Sequence, residues 1–119
     1  MNKDELISLL DNAIKNKIDL DKLDSDGMAF IHYAAFHDSL FTIAGLLSLG
    51  ATVDQENEDE WTALMYAARD GHLDIVTKLI EAGATVDHTN ENGGTALMVA
   101  ARCGHLDIVT KLIEAGAAV

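Results

Sequence analysis

The sequence predicts an all-α solenoid, a stack of helix-turn-helix units joined by finger loops. Two observations carry that expectation. The fourteen residues from Gly71 to Ala84 recur unchanged from Gly104 to Ala117, 33 residues on. Self-similarity at a period of roughly 20–50 residues marks repeat architectures. The chain also has no proline and only 5% aromatic residues, although 49% of it is hydrophobic. Small aliphatics without proline favour helices.

The elements follow in order. Residues 1–26 read as a capping half unit. Leu6, Leu9, Leu10, Ala13 and Ile14 share one helical face, and Asn2 with Glu5 fits a capping box. Ile18-Asp19-Leu20-Asp21 matches Ala51-Thr52-Val53-Asp54 one repeat later. Lys3, Asp11, Lys15 and Lys17 fall on the outward side, as a terminal cap requires. Full units then run over 27–59 and 60–92, and a third over 93–119.

Within a unit, the first helix carries paired alanines, Ala67 and Ala68, which let neighbouring helices approach closely. Gly71 is placed to take the left-handed conformation that ends it. The second helix shows an apolar stripe, Leu73, Ile75, Val76, Leu79 and Ile80, at helical period. Gly83 stops it, and the stretch from Ala84 to Gly94 is expected to be an exposed loop. One unit cannot bury both helices, so each must lean on the next. The third unit ends at Val119 inside its finger. Leu97, Val109, Leu112 and Ile113 are therefore expected on a face without a neighbour.

Composition excludes other classes. A single cysteine, Cys103, cannot make a disulfide framework. No apolar run approaches the length of a membrane span. The start, Met1-Asn2-Lys3-Asp4-Glu5, lacks a signal-peptide pattern. A net charge of -12 repels nucleic acid and anionic lipid. All of that charge falls within residues 1–92; residues 93–119 are neutral. These features favour a cytoplasmic protein, the alternative being a secreted effector acting inside a host cell.

Thr62, Leu64, Ala67, Ala68, Gly71, His72, Asp74, Val76, Leu79, Gly83, Ala84 and Val86 together resemble the ankyrin repeat pattern. The third unit matches equally through Ala117, and the resemblance covers essentially the whole chain. It departs in places. Phe30, Ala63 and Ala96 replace the family's proline, and Met65 and Met98 its histidine, which survives as His32. Glu60 replaces a turn glycine, and Asp38-Ser39 stands where the other units have Gly-His.

The resemblance implies a non-catalytic module that binds a protein partner through its concave face and finger loops. Carried over by position, the partner-binding residues are Met28, Phe36, His37, Glu56, Glu58, Asp59, Trp61, Tyr66, Arg69, Asp70, Arg102 and Cys103. Trp61, the only tryptophan, is the expected anchor, exposed on an acidic finger. Met28, Phe36 and Tyr66 extend an apolar strip beside it, with Tyr66 packed between units. The run Asp54, Glu56, Glu58, Asp59, Glu60 is expected to be a negative tip that steers a partner with a basic surface.

No catalytic, cofactor or metal residue is expected. His72 and His105 sit one repeat apart, about 10 Å in a stack, too far to share a metal, and read as closing the turns between helices. Cys103 lacks an evident activating neighbour, and Gly93-Gly94 alone is a turn. Two alternatives stand beside the main reading. One is an interaction domain cut from a larger multidomain enzyme or host-directed effector. The other is a structural unit that self-associates through its uncapped C-terminal face.

Overall fold

The computed structural model describes residues 1–119. It contains seven helices and no strand. They are α1 (Lys3–Lys15), α2 (Phe30–Phe36), α3 (Leu40–Ser48), α4 (Ala63–Asp70), α5 (Leu73–Glu81), α6 (Ala96–Arg102) and α7 (Leu106–Glu114). The molecule is elongated, 43 × 26 × 23 Å.

Two layers run along its length. The inner helices α2, α4 and α6 pack in series, and the outer helices α3, α5 and α7 form a second row. α1 packs on α2 at the N-terminal end. The alanines explain the close inner row. Ala34, Ala35, Ala67, Ala68 and Ala100 are fully buried, and side chains this small let helix axes approach closely. The outer row supplies the larger core residues, Ile43, Leu46, Ile75, Val76, Leu79, Ile108 and Leu112, all fully buried. Leu6 and Ala13 of α1 close the near end.

Local chemistry sets the helix ends. The Thr62, Thr95 and Ser39 hydroxyls accept from the N–H groups of Met65, Met98 and Thr42, satisfying donors that a first turn leaves free. The Asn2 side chain accepts from Glu5 N–H at 2.8 Å. Glu5 returns the contact to the Asn2 side-chain amide rather than to its backbone, so this is only half of the expected capping box. In α2 an alanine takes the threonine's place. There His32 Nδ1 accepts from Ala29 N–H at 3.0 Å.

Gly71 shows why a glycine ends α4. Its φ is +79°, and a Cβ would lie 2.8 Å from the His105 ring. Lys17, Asp38 and Glu60 adopt the same left-handed conformation without being glycine. Each stands where other repeats have one.

Successive repeats are tied by a recurring aspartate. Asp21 accepts from the Thr52 N–H and hydroxyl, at 2.9 and 2.6 Å. Asp54 does the same for Thr85, and Asp87 accepts from Ala118 N–H.

Two expectations need correction. Leu112 does not lie on the open C-terminal face; it is fully buried, because it falls one turn after Ile108 on the inward side of α7. That face consists instead of Met98, Leu106 and Ile113, which are 55, 73 and 46% exposed. Leu97 and Val109 are half-buried. Second, the loop from Ala84 to Gly94 is not exposed throughout. Asn90 is buried, because its side-chain oxygen accepts from the N–H groups of Asn92 and Gly94.

Candidate functional site

The finger turns place the site. Asn57 Oδ1 accepts from the N–H groups of Asp59 and Trp61, both at 2.9 Å. Asp24 holds Asp26 and Met28 in the same way, and Asn90 is the third of the set. A side chain that bonds its own backbone two and four residues on builds the turn from within. Sequence reasoning passed over these residues. Their signal was available, since Asp24, Asn57 and Asn90 lie 33 residues apart.

Asp24 also accepts from the Tyr33 hydroxyl at 2.6 Å. Burial pushes the Asp24 carboxyl up, but the donors from Tyr33, Met28 and Asp26 outweigh it and hold it below the usual aspartate value.

The Asn57 turn delivers Trp61 onto Tyr66. The two rings lie 5.0 Å apart, tilted by 42°. Trp61 is half-buried rather than exposed. Tyr66 receives a 2.6 Å hydrogen bond from the Asn57 amide, meets His32 edge-on at 6.0 Å, and is packed between units as expected. Burial pushes its hydroxyl above the ordinary tyrosine value. Met28 is also half-buried; its sulfur accepts from the Asn57 amide at 3.2 Å. It therefore braces the strip more than it extends it.

Arg69 gathers the cluster. Its guanidinium lies 5.0 Å from the Tyr66 ring centroid, 5.7 Å from Phe36 and 5.8 Å from Trp61, within cation–π range of all three. Asp70 binds it side-on at 2.8 and 3.1 Å, and that bond holds the guanidinium above its ordinary pKa against partial desolvation. Phe36 and Arg69 occupy equivalent positions in successive inner helices, and Arg102 is the next. Phe36 is 49% exposed and Arg102 is exposed. Beyond Trp61 lies a shallow basin of about 360 Å³, bordered by Asn90, Gly94, Met98 and Arg102. Cys103 is exposed at the end of α6.

The acidic finger is narrower than its sequence suggests. Asp54 is committed to Thr85, and Glu56 lies 3.0 Å from His88 Nε2. Only Glu58, Asp59 and Glu60 are exposed at the tip. Five carboxylates thus become three, because the first two, Asp54 and Glu56, meet Thr85 and His88 of the next repeat. Packing also redirects the histidines. His105 Nε2 lies 2.9 Å from the Arg69 carbonyl of the preceding unit, so it fastens two repeats rather than closing its own turn. His72 Nδ1 lies 3.6 Å from Asp38. His37 Nε2 donates to the Met1 carbonyl at 2.7 Å.

His32 is the buried titratable residue beside the site. Nδ1 accepts from Ala29 N–H, so Nε2 carries the proton and donates to the Gln55 and Trp61 carbonyls at 2.8 and 3.0 Å. Burial holds its pKa below the ordinary histidine value, against the hydrogen bonds to Gln55 and Trp61. One ring thereby locks the second finger to the first inner helix.

No group of three or more His, Cys, Asp or Glu side chains converges as a metal site would need. No helix is long and apolar enough to cross a membrane. No curated protein matches the chain at a significant level. The family model described as ankyrin repeats (3 copies) matches residues 31–119. Three helix pairs in two layers, with fingers tied between repeats, agree with that match. The chain belongs to the ankyrin repeat family, whose repeats are in general protein-interaction modules.

Proposed function

We propose that this chain is a non-catalytic module that binds a protein partner on its concave face and finger tips. The observation that carries the reading is the Phe36–Arg69–Trp61–Tyr66 cluster. It joins a half-exposed aromatic ring to a cation already ordered by Asp70 and flanked by two more rings. Aromatic and arginine side chains in such settings dominate interface energetics. Their order in the free protein reduces the entropy lost on binding.

Glu58, Asp59 and Glu60 are exposed on the turn that leads into Trp61. Charges there act mainly on encounter rate, so they steer a basic segment toward the cluster. Arg102 and the basin beside Trp61 extend the surface toward the third unit.

A displayed library of random peptides, selected against the immobilised chain, tests this. Enriched peptides are expected to be basic and to lose binding to Phe36→Ala. Trp61→Ala is expected to weaken them by about 2 kcal/mol or more, with helicity retained. Peptides that bind both variants as well as the original would contradict the reading.

A further inference from the structure

We propose that the groove between α1 and α3 is a self-association surface, on which a second copy of this chain docks about a two-fold axis beside Ile7. The groove lies on the outer layer, away from the concave face. It measures about 380 Å³ and is lined by Ile7, Leu10, Ile14, Phe41, Gly45 and Leu49.

Its character is confined to the first unit. Phe41 is 91% exposed. The corresponding residues are Asp74 and Asp107. Gly45 and Leu49, one and two turns on, correspond to Lys78 and Ala82, then to Lys111 and Ala115. One face of α3 is thus apolar where α5 and α7 are charged or small. Ile7 and Ile14 of α1 face the same groove and are 45 and 44% exposed.

Gly45 sits inside α3, where glycine costs about 1 kcal/mol relative to alanine. A Cβ there would meet nothing within 4 Å. Nothing within the monomer calls for its small size, whereas close approach of another chain does.

The occupant follows from charge and shape. Lys3, Ile7 and Asp11 lie at i, i+4 and i+8 on α1, hence on one face. At 1.5 Å per residue, the opposite charges stand about 6 Å either side of Ile7. A two-fold axis through that point sets α1 antiparallel to α1 of the second copy. Lys3 then meets Asp11 of the second copy, and Asp11 meets its Lys3. A parallel arrangement would oppose like charges. The same patch holds a projecting ring, Phe41, and an apolar groove of a size to receive one. Such self-complementarity is what an isologous interface requires.

Sedimentation equilibrium of the full chain from micromolar to millimolar concentration tests this. A monomer–dimer equilibrium is expected. Phe41→Asp is expected to raise its dissociation constant at least about tenfold. That variant is expected to fold, since aspartate is the residue of the other two units and suits a first helical turn. Lys3→Glu and Asp11→Lys are each expected to weaken the dimer several-fold, and the double variant to restore it. A chain that stays monomeric overturns the proposal. So does a dimer indifferent to Phe41→Asp, or a double variant no better than the single ones.

Discussion

The second and third units carry the same fourteen residues, yet they present different surfaces. Leu73 is half-buried, while Leu106 is 73% exposed. Met65 is 1% exposed and Met98 55%. Ala68 is fully buried and Ala101 is exposed. Deeper positions do not differ: Leu79 and Leu112 are both fully buried. The split follows direction. Residues facing back toward the preceding unit are covered in both, and residues facing forward are covered only in the second. In a one-dimensional stack, each interface is therefore a property of two neighbours rather than of one sequence.

The largest effect should come from breaking that equivalence at the methionines. Met65→Ala should cost about 2–5 kcal/mol. Met98→Ala should stay within about 0.5 kcal/mol, as surface changes do. Urea unfolding followed by circular dichroism reads both. Equal costs would mean that a forward-facing side chain is worth the same with or without a neighbour.

A glycine pair sharpens the point. Gly71 and Gly104 share a left-handed φ, +79° and +78°. Alanine at Gly104 meets no neighbour within 4 Å, so it should cost only the backbone strain, about 1 kcal/mol. Alanine at Gly71 also strikes the His105 ring, and should cost about 1 kcal/mol more. Matching melting temperatures for the two variants would remove His105 as the difference.

The first unit differs from both in its histidine. His32 is neutral and fully bonded in the fold, with its pKa held below the ordinary value of 6.5. As pH falls below that value, the unfolded chain takes up a proton that the fold refuses. Stability is therefore complete above about pH 6.5 and declines on acidification. Asp24, with its pKa lowered, adds its loss only further down, below the ordinary 3.8. His32→Met installs the residue of the other two units and should flatten the decline that sets in below about pH 6.5. An unchanged slope in that variant would assign the titration elsewhere.

A small change of opposite sign is expected at Glu60, which holds φ +61° where Gly27 and Gly93 stand in the flanking repeats. Glu60→Gly should stabilise the protein by about 0.5–1 kcal/mol, measured by the same urea titration.

The fold was legible because the repeat period encodes it. The fourteen matched residues locate the second helix, the left-handed Gly71 and the stop at Gly83, and the recurrence of Thr62-Ala63-Leu64-Met65 and Ala67-Ala68-Arg69 at the same offset locates the first, without any tertiary information. Much of the site was not legible, for three physical reasons. The acidic finger looked uniform, but carboxylates two residues apart face different neighbours, and Asp54 and Glu56 are consumed by ties to Thr85 and His88. Arg69 looked like one variable position among several. Its place among three rings depends on Phe36, one repeat away, and on a turn built by the buried Asn57. Leu112 and Leu106 both count among the apolar residues of α7 in sequence, and only packing tells which of them is buried. Where a residue type recurs at 33 residues, as with Asp24, Asn57 and Asn90 or Asp21, Asp54 and Asp87, the sequence does hold the information. Phe41 is the converse case, visible as a break in the period.

Position in the stack decides which helix surfaces are protected. Amide hydrogen exchange tests it most directly, because α5 and α7 have one sequence, Leu-Asp-Ile-Val-Thr-Lys-Leu-Ile-Glu, and hence one set of intrinsic exchange rates within the helix. Protection is expected to be at least about tenfold stronger in α5 than in α7, since local opening tracks the contacts around each helix. Equal protection in the two helices would contradict it.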